Sequence, residues 1–338
     1  MARWLLLLVL LVLMAAGIGV YTDFVELSRH VTGFAWWTVA PALALAFLNY
    51  VLRFGKWEYL LRKARGRLDG DADEEQDGPR KVPVRRVLHT RPEPAQAGLA
   101  SSALVFFSGL AMSVTPGKVG ELLKSFLLKR VNGTPVAVSA PVVVGERLTD
   151  LLSLLVLAVF GVAGSGYGWD ILVAAAILCG TVIVFALWGK AGEAAFNLAA
   201  RLPFVRMRRD SFLELQRTLL TLVGWRCLVV GTAISVAAWF AECAAFWLVL
   251  HGAGIDFSLA SAMFVYALGT IAGAVTMLPG GLVATEASMV FVLVEVFKQA
   301  TRPAAVTAVL VVRICTLWFA VLVGVIALAL FRRRHGGQ

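Results

Sequence analysis

Long runs of apolar positions dominate the chain, at about 4–20, 34–52, 136–163, 169–188, 228–250 and 304–331. Each approaches or exceeds the roughly 20 residues that an α-helix needs to cross the hydrocarbon of a bilayer, so about six full spans are expected. Two further apolar stretches, about 99–131 and 259–298, are interrupted by Pro-Gly breaks. Each predicts a helix, a break and a second, shorter helix, read here as a re-entrant hairpin; two full crossings would leave the topology unchanged. Between Asp210 and Trp225, Phe212, Leu213, Leu215, Leu219, Leu220 and Leu222 alternate with polar residues. That pattern fits an interfacial amphipathic helix and equally a simple extension of the next span.

The two breaks are copies of one pattern. Thr115-Pro116-Gly117-Lys118-Val119-Gly120-Glu121 corresponds to Leu278-Pro279-Gly280-Gly281 followed by Glu286. Downstream, Pro135-Val136-Ala137-Val138-Ser139-Ala140 corresponds to Pro303-Ala304-Ala305-Val306-Thr307-Ala308. Each phrase runs into an apolar helix bearing an arginine. Glu121 precedes Arg147 by 26 residues and Glu286 precedes Arg313 by 27. Broken helices in corresponding halves of a membrane protein point to a transporter's binding site. The first copy covers about 99–163 and the second about 259–331, within a single integral membrane domain spanning 1–338.

Composition agrees: 59% of the 338 residues are hydrophobic and 15% are charged, a ratio that a bilayer solvates and a water-soluble surface does not. Trp4 to Val20, after Arg3, also satisfies a signal-peptide pattern, although the many later spans favour an anchor. Cys179, Cys227, Cys243 and Cys315 are scattered through apolar segments without paired spacing, and the four histidines form no metal spacing. No nucleophile triad, Walker motif or dinucleotide fingerprint occurs, so no catalytic residue, metal or cofactor is expected.

Positive charge sets the orientation. The loop from Arg53 to Arg91, the group Arg201, Arg206, Arg208 and Arg209, and the run Arg332-Arg333-Arg334 fall on one side if both termini are cytoplasmic and each hairpin returns to its own face. The first hairpin then opens from the cytoplasm and the second from the opposite side, so the repeat is inverted. This topology accounts for the net charge of +10 without a nucleic-acid partner. The segment 62–95, acidic then basic with prolines, reads as a flexible cytoplasmic linker whose basic part can touch anionic lipid headgroups, as can Arg332–Arg334.

Charges inside the apolar stretches carry the chemistry. Lys118, Glu121 and Lys124 follow the first break; Glu146, Arg147 and Asp150 share one helix; Glu286 follows the second break; Arg313 and Glu242 lie within long spans. Each costs about 2.5–3.5 kcal/mol at a bilayer centre on insertion scales. They read as internal ion pairs, such as Glu121 with Arg147 and Glu286 with Arg313, or as the lining of a polar cavity shared by the two copies. Lys118 favours the cavity, since a lysine at the N-terminus of a half-helix suits an anion. Arg53, Lys56 and Trp57 end the second span and read as interface anchors more readily than as binding residues. On this reading Arg147, which recurs as Arg313, matters more than Arg53 or Lys56.

At these residues the chain resembles the transmembrane, flippase domain of the lysylphosphatidylglycerol synthetases. The likeness rests on Thr115 to Glu121, on Glu146-Arg147-Leu148-Thr149-Asp150, and on Leu278 to Gly281 with Glu286, with a looser fit at Arg53, Trp57, Leu60 and Leu61. It covers roughly 35–330. In one departure, Val283 stands where the family often has glycine, which implies a less open second break. The family's soluble aminoacyl-transferase domain has no counterpart, so the resemblance implies lipid translocation without lipid synthesis.

The combined expectation is an all-α polytopic protein of a bacterial inner membrane that moves an anionic, phosphate-bearing lipid. Substrate contacts fall to Lys118, Arg147 and Arg313, with Pro116, Gly117, Gly120, Gly280 and Gly281 shaping the breaks. Glu121, Glu146, Asp150 and Glu286 balance charge or carry protons. A membrane-embedded transferase or hydrolase acting on a lipid carrier, and a non-transporting partner of an envelope-lipid synthase, are the alternatives. The inverted repeat predicts that, in a cysteine-less background, a cysteine at Asn132 labels from the cytoplasm and one at Gln299 from the other side; labelling of both from one side contradicts it.

Overall fold

The computed structural model describes residues 30–74, 98–165 and 224–335, together with positions 170, 173, 177, 180, 218 and 222; the side chains of 67–74 and 117–119 fall outside the description. The expected spans 4–20 and 169–188 and the segment 210–225 lie wholly or largely outside it. Every regular element among the described residues is helical. Four stretches are long and apolar enough to cross a membrane: Trp36–Gly66, Trp225–Gly252, Pro279–Val296 and Arg302–His335.

Helix α1 (Val39–Glu74) follows a short 3-10 turn and runs well past position 52, where the apolar run ends, into the segment expected to be a linker. The residues that continue it (Glu58, Leu60, Leu61, Arg62, Lys63, Ala64) are strong helix formers. Its inner face is the stripe Ala42, Ala46, Asn49, Arg53, Lys56 and Leu60, all buried, at alternating steps of four and three. Arg53 and Lys56 therefore do not end the span at a water interface. They continue its buried face.

The first break has the expected three parts: α2 (Leu99–Leu110), a bend with a 3-10 turn at Pro116–Leu122, and α3 (Leu123–Asn132). Pro116 starts the turn, and Gly117 and Gly120 weaken the α-helix there, so the tighter turn persists until Leu123. Lys118 consequently sits within the 3-10 turn and not at the N-terminus of α3. Thr115 Oγ1 accepts the Gly120 N–H at 2.9 Å, so one of the free donors expected there is already used. Helix α4 (Val136–Ser165) follows.

Helix α5 (Trp225–Gly252) precedes the second copy, which begins with α6 (Leu259–Val275). After its bend, Gly280 and Gly281 take φ of 62° and 67°, which glycine adopts without steric cost. Val283 takes φ 71°, ψ −52° just before α7 (Ala284–Phe291). A β-branched residue is strained there by about 1–3 kcal/mol. Glycine would hold this backbone without strain; valine holds it at that cost. Helix α8 (Arg302–Arg313) passes through a π-turn at Ile314–Trp318 into α9 (Phe319–His335).

Packing interleaves the two copies. The long helix α4 of the first lies against α6 of the second, while α9 of the second lies against α2 of the first; α1 and α5 pair alongside. One apolar cluster joins α4, α5, α6 and α8, with Phe246, Phe264, Leu157 and Val312 at its centre. The breaks themselves meet: Val114 beside the first packs with Leu282 beside the second and with Leu317.

Close backbone approach explains two glycines in this interleaving. A Cβ at Gly324 of α9 would lie 2.0 Å from the Ala111 nitrogen, and one at Gly161 of α4 would lie 2.7 Å from the Ala260 carbonyl oxygen and the Phe264 nitrogen. Small residues at helix crossings are how membrane helices approach. Asn132 is buried, with its Oδ1 bonded to Thr134, so the exposed Lys129 is a better cytoplasmic labelling position. Gly161→Ala and Gly324→Ala should each lower stability by about 1–3 kcal/mol, the cost of overpacking, in detergent unfolding curves. Gly55→Ala, which meets nothing within 4 Å, should be neutral or slightly stabilising; equal behaviour of all three contradicts the close crossings.

Candidate functional site

Between the two breaks lies a cavity of about 300 Å³. Its wall carries Arg53, Arg147, Asp150, Glu242, Tyr266 and Arg313, with Gly280 and Gly281 of the second break among apolar residues. Met277 and Leu278 line it and are themselves exposed, 67% and 43%, which places its mouth beside the second break.

A connected network of buried charges joins the first copy to α1 and α5. Lys56, fully buried, donates to Asp150 Oδ1 at 2.6 Å, to Ser235 Oγ at 2.8 Å, to Thr149 Oγ1 at 3.2 Å and to the Glu146 carbonyl at 3.3 Å. Asp150 Oδ2 faces Arg53 Nη2 at 3.5 Å and Arg147 Nη1 at 3.6 Å. Arg147 Nη2 donates to Glu121 at 2.7 Å. Lys124 donates to Glu146 at 2.6 Å, lies 3.5 Å from Glu121, and sits 5.0 Å from the centre of the Phe106 ring. Helices α1, α3, α4 and α5 are thus joined by charge as well as by apolar contact.

The second copy repeats one part of this. Arg313 Nε donates to Glu286 Oε1 at 2.6 Å, as Arg147 does to Glu121, and its Nη2 caps the Gly280 carbonyl at 2.7 Å. The Tyr266 hydroxyl donates to Glu242 at 2.6 Å, and the Tyr50 hydroxyl donates to the Thr316 carbonyl inside the π-turn at 2.5 Å. π-Turns distort a helix locally and recur at functional sites. This one follows Arg313 directly and turns Thr316 and Leu317 to the cavity wall.

Both sequence readings of the charges therefore hold together. Glu121 with Arg147 and Glu286 with Arg313 do form ion pairs, and both arginines also line a shared cavity. Asp150 joins them there, while Glu121 and Glu286 stand behind the wall as their partners and Glu146 pairs with Lys124. Pro116, Gly117 and Gly120 shape the first turn, and the side chain of Lys118 lies outside the described residues. No cluster of three metal-ligating side chains occurs among the described residues.

A family model, the lysylphosphatidylglycerol synthase TM region, matches residues 4–324. The chain belongs to that family. It is also similar to a UPF0104 membrane protein of Methanothermobacter thermautotrophicus, 25% identical over 234 residues, which are 63% of this chain and 69% of that protein. Membership in the family and the set of long apolar helices make this a multi-pass membrane protein.

For this family member, three site features escaped the sequence reading. Arg53 and Lys56, which read as interface anchors in the sequence, are buried 93% and wholly, beside the same Asp150 that Arg147 faces. The signal was present in the stripe of small residues at Ala42, Ala46 and Asn49, which continues through both cations. Glu242 was visible as an intramembrane charge, but its partner Tyr266 is a contact between α5 and α6 that no local spacing reveals. Breaking the buried pair Lys124–Glu146 should be costly: Lys124→Met leaves a carboxylate unpaired and should destabilise by about 3–5 kcal/mol, whereas Lys124→Met with Glu146→Gln should recover most of that loss. Thermal unfolding of the four proteins gives the cycle, and additive effects would contradict a direct pair.

Proposed function

We propose that this protein translocates a lipid with an anionic, phosphate-bearing headgroup across the cytoplasmic membrane, the two broken segments acting as re-entrant hairpins of an inverted repeat. The observation that carries this is the cavity between the breaks, to whose wall each copy contributes a guanidinium, Arg147 and Arg313, at matched positions. A headgroup there would meet cations from both halves, as alternating access about a midplane site requires. The exposed Met277 and Leu278 at the mouth offer apolar surface to acyl chains while the headgroup is inside. Lys118, on the turn that meets the second break, adds positive charge on the side of the first hairpin.

Transport suits the site better than catalysis does. Each intramembrane carboxylate named above is engaged by a cation or a phenol, an arrangement for balancing charge and not for activating a nucleophile. The protein's own basic segments would hold anionic headgroups at the cytoplasmic surface, and an envelope-lipid synthase is the partner such a transporter would serve.

The reading is tested in proteoliposomes with fluorescent phosphatidylglycerol and phosphatidylcholine, using monodisperse protein. Wild type should move the anionic lipid. Lys118→Gln should weaken its handling by about 1.5–3 kcal/mol, the range for a hydrogen bond to a charged group, and Lys118→Glu by far more, with phosphatidylcholine much less affected. Equal movement of phosphatidylglycerol by wild type and Lys118→Glu would remove Lys118 from the site; no movement by wild type would remove the transport reading.

A further inference from the structure

The cations around Asp150 are held unequally. Lys56 binds Oδ1 at 2.6 Å, and Ser235 donates to the same oxygen at 3.2 Å. Both arginines stand off from Oδ2, at 3.5 and 3.6 Å, beyond a well-formed charged hydrogen bond. The Nε atoms of Arg53 and Arg147 have no hydrogen-bond partner among the described residues. Yet both residues line the cavity, and the Arg53 side chain is only 8% exposed. The buried Nε atoms do not reach the cavity; what surface the two guanidinium-bearing side chains keep, 8% and 28%, is offered at its wall.

Asp150 is the obvious acceptor, and Lys56 is what keeps it from closing that gap. Lys56 is anchored at four points on α4 and α5, so it cannot follow the carboxylate toward the cavity. Arg53 is steadied from behind by the Trp239 ring, 5.8 Å from its centre. Arg147 is steadied by Glu121 at 2.7 Å. The two planar groups thus share one carboxylate oxygen at arm's length.

We infer that Arg53 and Arg147 form a clamp for a phosphate group, and that Lys56 is a positioning residue that holds Asp150 back from the clamp. Guanidinium donors match phosphate oxygens, which accept several such bonds at once. Without Lys56, the Asp150 carboxylate turns onto the arginines and competes with the phosphate as an internal anion. The inference rests on reading the cavity as an anion site, but not on transport. The phosphate can belong to a lipid headgroup or be free in solution.

The test is calorimetric titration of the detergent-solubilised full chain with dihexanoyl-phosphatidylglycerol, with inorganic phosphate and with phosphate-free dihexanoylglycerol. Wild type should bind the phosphate-bearing probe and not dihexanoylglycerol. Lys56→Met should raise its Kd about tenfold or more, because the released Asp150 carboxylate then takes arginine donors that the phosphate would use, and Asp150→Asn in that background should restore it. Asp150→Asn alone should bind at least as tightly as wild type, because the internal competitor is gone. If Lys56→Met does not fold, that single variant decides. A purely structural Lys56 predicts the reverse: melting temperature and affinity fall together, and Asp150→Asn binds more weakly. That result, or equal binding of dihexanoylglycerol, overturns the clamp. A lipid Kd well below that of inorganic phosphate supports a headgroup in the clamp, and equal values support a clamp for free phosphate. Phosphate binding by protein that moves no lipid would overturn transport and leave the clamp standing.

Discussion

Charge placed inside a bilayer protein has to be answered on the spot, and this requirement organises the molecule more than any apolar contact does. Unpaired, each buried cation or carboxylate costs several kcal/mol; paired, it fixes the two helices that carry the partners. Lys56 needs Asp150, and so α1 is held to α4. Lys124 needs Glu146, and so the short helix after the first break is held to α4 as well. Arg313 takes Glu286 and the Gly280 carbonyl, which pins the second break to α8. Both bends are thereby shaped by electrostatics at places where the backbone itself is weakest.

Much of this architecture was legible in the chain. Apolar runs marked α4, α5 and the α8–α9 helix nearly to the residue, and the Pro-Gly breaks marked the two bends. The end of α1 was missed because the apolar run stops at position 52 while helix-forming residues continue. An apolar count registers the loss of hydrophobicity and not the persistence of helix. Lys118 was misplaced by one turn because proline and glycine produced a 3-10 segment where an α-helix was expected. Such a substitution depends on local backbone geometry that composition does not report.

Site residues divide along the same line. Spacing within one helix, and the recurrence of Glu and Arg at matched intervals, identified Glu121, Arg147, Glu286 and Arg313, since their contacts repeat a pattern written twice. Contacts made once, between helices distant in sequence, were invisible: Lys56 with Ser235, Tyr266 with Glu242, Tyr50 with the Thr316 carbonyl. The two copies are alike in their arginine–glutamate pairs and unlike in everything around them. That difference adds to the cavity wall a place where a phenol and a carboxylate meet.

The interleaving of the copies has a consequence for how the protein is made. Helix α2 rests against α9 and α4 against α6, so each half leaves part of its packing surface to the other. During synthesis the first break and its charges emerge long before the helix that covers them. Until α9 arrives, Ala111 and its neighbours face lipid in place of Gly324. The pairing of Lys124 with Glu146, complete once α4 is inserted, is then what can hold the early half in shape while it waits, and assembly of the cavity becomes a late event that depends on the last helix described here.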